Sequence, residues 1–352
     1  MGLGTGWALA GRDRCELGRH CDAKGDMLAA RPLLRRGGAT PLPIQHKGPT
    51  HMMMFADSSR GKPFSKDPAV VELGGQYFLY YSVPPFKDGR DDDGWRIGVA
   101  TSQDLDAWEK VSELAPLSPC DAKGLCAPGA IVLGDRVHLF YQTYGNGADD
   151  AICHATSDDG ITFIPNSTNP IFSPTGDWNS GRAIDADVIV HDGKLLLYFS
   201  TRDPDMRVQM TGVAAAPVDS GYCRGDWVQL CNESILQPEL PWEGECIEAS
   251  ALCRHDGRLY MFYGGAYNNA PQQIGCAVSD DGLSWERVSD TPILPNGAPG
   301  EWNHSESGHP FVFEAADGTY HLFFQGNDDK GKTWYLSRKE IAWHDGIPCI
   351  QP

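Results

Sequence analysis

Four side chains that can hold or pass a proton stand at the heads of apolar, strand-like runs: Asp67, Asp185, Glu248 and His309. The runs read "DPAVVELGGQYFLYYS" from Asp67, "DADVIVHDGKLLLYFS" from Asp185, "EASALCRHDGRLYMFYGG" from Glu248 and "HPFVFEAADGTYHLFFQG" from His309. A further copy, "APGAIVLGDRVHLFYQ", opens with Ala127. A single Asp at a strand start is ordinarily a turn or cap residue. Three acids at one recurring place, in runs otherwise apolar, call for another cause. If the fold gathers them, their mutual repulsion keeps one protonated while another is ionised. One acid to donate and one base to accept is the equipment for breaking a glycosidic bond. The leaving oxygen takes a proton while a nucleophile or an activated water attacks the opposite face of the sugar.

What must position these residues is a repeated unit. Each copy is an apolar strand, a tight turn carrying Gly or Asp-Gly, and a second strand rich in aromatics. Copies recur about every sixty residues, more than a hairpin requires. Segments such as "WRIGVATSQDLDAWEK", "AICHATSDDGITF" and "QIGCAVSDDGLSWER" supply two more strands around a Ser-Asp-rich turn. The turns at 157–160 and 279–282 resemble the Asp-box of sialidases and are read as folding turns. The expected fold is all-β, a five-bladed β-propeller of four-stranded antiparallel blades. Aligned turns in every copy speak against a β-sandwich. Counted back from the turns, with the last two turns taken as longer, the strand heads are Asp67, Ala127, Asp185, Glu248 and His309. In a propeller these positions converge at one end of the axial channel. Residues 46–352 would form the propeller. Residues 1–45, with the basic loop-like "RPLLRRGGATPLP", would be an N-terminal extension, part of which could close the ring by pairing with the last blade.

The 352 residues are 41% hydrophobic and 22% charged, ample for a core, and the net charge is −18. That charge opposes encounter with nucleic acid or an anionic membrane. No apolar run approaches the ~20 residues that span a bilayer. "MGLGTGWALAGRDRCELGRHC" lacks an apolar stretch behind a basic start, so it reads poorly as a signal peptide. The eleven cysteines are odd in number, mostly beside apolar strands, and show no metal-binding spacing. A buried, reduced role favours a cytoplasmic setting, with export left open and Cys15/Cys21 and Cys120/Cys126 as the pairs a disulfide could join.

The order and spacing of these motifs resemble glycoside hydrolase family 43 and its relatives in families 32, 62, 68 and 117, over roughly residues 50–345. "KDP" at 66–68 is similar to the family's first-blade Asp-Pro, and "AIDADVIV" at 183–190 to its third-blade strand, with Ala186 for proline. "IEASAL" at 247–252 resembles its fourth-blade Glu-Ala-Pro, with Ser250 for proline, and "GHP" at 308–310 its fifth-blade Gly-His. The resemblance implies Asp67 as general base, Glu248 as general acid, and Asp185 as the residue that orients the acid and raises its pKa. It implies that no cofactor takes part in the chemistry, while calcium or another ion could sit in the axial channel near His309. A lone protein ligand makes a weak cage, and a hydrogen-bonding His309 is an equal reading.

Other residues stand in reserve. Glu245, in "GEC", resembles the Glu-Cys of family 32 but breaks the strand count. "RDP" at 202–204 resembles a motif of that family yet reads as a loop. Asp187 shares a strand face with Asp185. His304 is a reserve acid, because family 117 relatives can use histidine in that role. Arg182 would bind substrate or neutralise the acids. Of the aromatics between strands (Phe86, Trp95, Tyr144, Trp242, Tyr267 and Trp302), Trp95, Trp242, Tyr267 and Trp302 are the expected sugar platform. The implied activity is that of an exo-type, inverting glycoside hydrolase acting on α-L-arabinofuranosides or β-xylosides of plant-type or marine oligosaccharides. Alternatives are a retaining fructosidase with Asp67 as nucleophile, a family 117-like anhydrogalactosidase, a phosphorylase, for which no basic cluster is visible, and a non-catalytic carbohydrate-binding propeller. Oligomeric state stays open.

Overall fold

Runs of aromatic and β-branched residues between glycine turns pair as strands, and they do so five times. The computed structural model describes residues 54–90 and 93–351, so the expected extension at 1–45, with Cys15 and Cys21, lies outside the described residues. Blade 1 is Lys66–Leu73, Gln76–Val83, Arg96–Ser102 and Glu109–Leu114 in spatial order. Blades 2, 3 and 4 repeat the meander from Leu125, Ile184 and Ile247, each ending in a two-residue outer strand. Blade 5 is Glu306–Glu314, Tyr320–Asn327 and Tyr335–His344. Its outer edge is shared by Met54–Phe55, opposite Ser337 and Leu336, and by Ile347–Ile350, opposite 341–344. A ring-closing strand thus lies at 54–55, within the segment assigned to the propeller.

Apolar side chains fill the spaces between blades; Leu79, Tyr81, Val99 and Leu139 are among those with no exposure. The Ser-Asp-Asp-Gly turns are folding devices. Asp159 accepts the amides of Ile161 and Thr162, and the Gly160 carbonyl accepts the hydroxyl of Tyr80 from the blade before, at 2.9 Å. Asp281 and Gly282 repeat this with Tyr198, at 2.8 Å. The nine cysteines among the described residues are all free. Cys120 does not join Cys126; its sulfur lies 3.6 Å from that of Cys153.

Every inner strand carries a bulge at its head, marked by register shifts at Lys66/Ala69, Cys126/Gly129, Ile184/Asp187, Glu248/Ala251 and Gly308/Phe311. Inside each bulge one non-glycine residue takes a left-handed backbone: Asp67 (φ 53°), Ala127 (47°), Asp185 (51°), Ala249 (55°) and His309 (45°). Such a conformation costs on the order of 1–3 kcal/mol and persists only where surroundings over-determine it. Here the determinant is a side chain from the preceding blade. The bulge amides of Asp67, Ala127, Asp185, Ala249 and His309 donate to Gln325, Ser82, Gln142, Ser200 and Gln272, at 2.8–3.1 Å. Four of these acceptors sit opposite the residue before the bulge in their own blade; in blade 4 that place is Gly264. Gln272 reaches across the bare glycine instead, where a Cβ would lie 3.0 Å from its amide carbon.

This register corrects the alignment of Glu248. Ala249, not Glu248, matches Asp67 and Asp185, while Glu248 matches Lys66. The reason is that blades 3 and 4 share the same His-Asp-Gly turn, at 191–193 and 255–257, so no longer turn exists to absorb a residue. A bulge re-aims side chains, and Glu248 still faces the hub.

Replacing Ser200 by Ala removes the acceptor of the Ala249 amide. We expect a loss of about 1–3 kcal/mol in urea unfolding. An unchanged midpoint would show that the inter-blade bond does not brace the bulge.

Candidate active site

The bulges of blades 1, 3 and 5 aim their side chains at one point. The Nε2 of His309 lies 3.4 Å from an oxygen of Asp67 and 3.4 Å from an oxygen of Asp185, so those oxygens are no further apart than twice that distance. Glu248 enters from blade 4 into the same cavity of about 290 Å³. One of its oxygens accepts the amides of Gln272 (2.6 Å) and Asn268 (3.0 Å), and the other accepts Gln209. All three carboxylates are buried.

Their environments push them apart. Burial raises the Glu248 pKa and repulsion by Asp185 adds to it, against the opposing pull of His309 and Gln272. Burial also acts on Asp67, but Lys66, with Nζ 3.8 Å away, and His309 outweigh it and hold that carboxyl below its ordinary value. Burial disfavours charge on His309, yet Asp67 and Asp185 raise its pKa to about 9. At neutral pH an imidazolium therefore lies between Asp67 and Asp185, Asp67 is ionised, and Glu248 is the carboxyl biased toward keeping its proton. That is a donor and an acceptor in one small cavity.

Cations line it as well. Lys66, Arg182 and Arg202 all face the cavity, although the sequence shows no basic cluster because they come from three separate segments. Arg202 donates to Gln209, which in turn donates to Glu248. Lys66, Arg202, Gln209, Asn268 and Gln272 were missed. The usable signal for Lys66 was its place beside Asp67, and for Gln272 the bare Gly264 of its blade.

Among the aromatics, Trp95, Tyr144 and Tyr267 line the cavity. Trp242 and Trp302, expected on the platform, are blade packing: Trp242 stacks on Tyr263 and Trp302 lies against Phe324. Phe86 is covered by the Arg60 guanidinium at 3.6 Å. The reserve acids also lie elsewhere. Asp187 accepts the Leu252 amide lower in the axial channel, where burial lifts its pKa to about 7. Exposed Glu245 pairs with Arg207 at 3.6 Å, and exposed His304 contacts the Gly297 carbonyl. Asp203 of the "RDP" segment caps its own loop through Arg207 and Val208. The Nε2 of His309 faces two carboxylates, while its buried Nδ1 has no hydrogen-bond partner. No group of three His, Cys, Asp or Glu suited to an ion occurs among the described residues. No helix among the described residues is long and apolar enough to cross a membrane.

The profile of glycosyl hydrolases family 43 matches residues 61–348. A xylosidase/arabinosidase of Bacteroides ovatus is 28% identical over 155 residues, 40% of this chain and 43% of that protein. A 1,2-beta-oligomannan phosphorylase of Thermoanaerobacter sp. (strain X514) is 27% identical over 209 residues, 57% of this chain and 64% of that protein. The match thus spans less than two thirds of either relative. A crystal structure of a thermostable family-43 glycoside hydrolase superposes with a TM-score of 0.65 at 21% identity, covering 82% of this chain and 93% of that one, which shows a shared fold.

Gln272 holds both Glu248 and the His309 amide, and a Cβ on Gly308 would lie 1.9 Å from its Oε1. Gly308→Ala should therefore displace that amide and cost about 10²-fold in kcat/KM, the scale of an ångström-sized misplacement. Wild-type kinetics in a folded Gly308→Ala protein would contradict this geometry.

Proposed function

The chain belongs to glycosyl hydrolases family 43, and on that premise we propose that it is an exo-acting, inverting glycoside hydrolase with Glu248 as general acid and Asp67 as general base. The observation that carries the reading is the convergence of Asp67, Asp185 and Glu248 on one cavity, with the pKa of the first lowered and that of the last raised. Glu248 gives its proton to the glycosidic oxygen as that bond breaks. Asp67 takes a proton from the water whose oxygen bonds to the anomeric carbon. Asp185 keeps the imidazolium of His309 in place and repels charge on Glu248, which favours the protonated acid. Arg202, through Gln209, fixes the second oxygen of Glu248.

A cavity of about 290 Å³ is at the small end of ligand sites. That supports removal of a terminal sugar rather than cleavage within a long chain. For the sugar, an α-L-arabinofuranoside or β-xyloside agrees with the printed activity of the Bacteroides ovatus relative. Trp95 and Tyr267 line the cavity and would meet the apolar side of that sugar.

Glu248→Gln should lower kcat/KM by about 10²–10⁴-fold on glycosides with poor leaving groups, and much less on dinitrophenyl glycosides, which need no proton. Unchanged turnover on a panel of aryl furanosides and pyranosides would refute the acid. The pH profile follows from the signs: activity falls on the acid side as Asp67 gains a proton, below the usual carboxylate range, and on the alkaline side as Glu248 loses one, above that range. Glu248→Gln should erase the alkaline limb alone. NMR of the first-formed sugar should show the inverted anomer; a retained anomer would make Asp67 a nucleophile instead.

A further inference from the structure

We propose that the site also holds an oxyanion, a sugar carboxylate or a phosphate, between Arg182 and Arg202. The inference rests on the glycoside reading above and deepens it. The catalytic cavity abuts a second one of about 280 Å³, and the two share Tyr144, Arg182 and Arg202. The rest of the second cavity is Gly145, Gly147, Met206 and Asp150.

Neither guanidinium is fully engaged. Arg182 lies 3.5 Å from Asp150, long for a charge-assisted bond, and its buried Nε has no acceptor. Burial raises the pKa of Asp150, which weakens it further as a counter-charge. Arg202 bonds neutral acceptors, the Gln209 amide at 2.9 Å and the Met206 carbonyl at 3.3 Å. Across the cavity stand Lys66 and the protonated His309. In a chain of net charge −18, four cations stand here among four carboxylates, Asp67, Asp150, Asp185 and Glu248, a local balance rather than the excess of acid found in the chain as a whole. Gln209 and Asn268, also on the cavity wall, have both ends of their amides engaged within the protein and are not its free donors. Two planar forks with unfilled donors match a group with paired oxygens.

The anion has two sources. A uronic acid unit next to the scissile bond would bring its own carboxylate. Free phosphate would take the place of water: one phosphate oxygen bonds to the anomeric carbon, the glycosidic oxygen leaves with the proton of Glu248, and a sugar phosphate results.

Calorimetric titration of the purified chain with glucuronate, galacturonate and inorganic phosphate, beside glucose and galactose, tests the proposal. At least one anion should bind about 10-fold or more tighter than the neutral sugars. Arg182→Gln and Arg202→Gln should each weaken that anion by about 10–100-fold. Equal binding of charged and neutral sugars with no phosphate binding, or an anion affinity that both variants preserve, would overturn it. Turnover then separates the sources: faster release from nitrophenyl uronides than from neutral glycosides marks the carboxylate, and sugar phosphate formed only with added phosphate marks the free anion. Binding is read without turnover, so the subsite can fail in an active glycosidase, or stand where Glu248→Gln refutes the acid.

Discussion

The hub depends on one repeated contact: a backbone amide in a left-handed bulge, donated to a side chain of the blade before it. Five such contacts run round the axis and each ties neighbouring blades together. Without an acceptor, a buried amide and a strained φ would both be left uncompensated. With it, the bulge is fixed and the side chain at its tip is aimed inward. Asp67, Asp185 and His309 owe their direction to this contact.

The same side chains that brace the bulges reach the acids. Gln272 accepts the His309 amide with its oxygen and donates to Glu248 with its nitrogen. Gln325 accepts the Asp67 amide and donates to Asn268, which donates to Glu248. Backbone geometry and the placing of the acid are therefore coupled through two amide groups. Charge is balanced at equally short range, with His309 between two carboxylates and Lys66 beside one of them. Three buried acids can coexist because their neighbours, rather than solvent, meet their charges.

The architecture was legible because a propeller writes its period into the chain: five hairpins with glycine turns and aromatic second strands. Asp67 and Asp185 were legible because they break an apolar pattern at a recurring place, and Glu248 because it breaks that pattern one residue earlier. The register of Glu248 was misjudged by one residue, though the identical turns after His191 and His255 held the correction. Trp242 and Trp302 were misread because stacking inside a blade and stacking on a sugar use the same residue type. The cations of the cavity were invisible for a different reason. Lys66 is far from Arg182 and Arg202 in the chain; the first hairpin of blade 3 brings the two arginines together, and only closure of the ring sets Lys66 on the same cavity.

That closure has a temporal side. The strand at 54–55 is among the first of the propeller to be made, yet its partner at 336–337 is among the last. Until the ribosome has released nearly the whole chain, the strand at 54–55 stays unpaired, an edge of the kind that neighbouring polypeptides can zip onto. With so many long-range pairings, assembly is expected to be slow, and the newborn protein is most exposed to misassociation in the interval before its two ends meet.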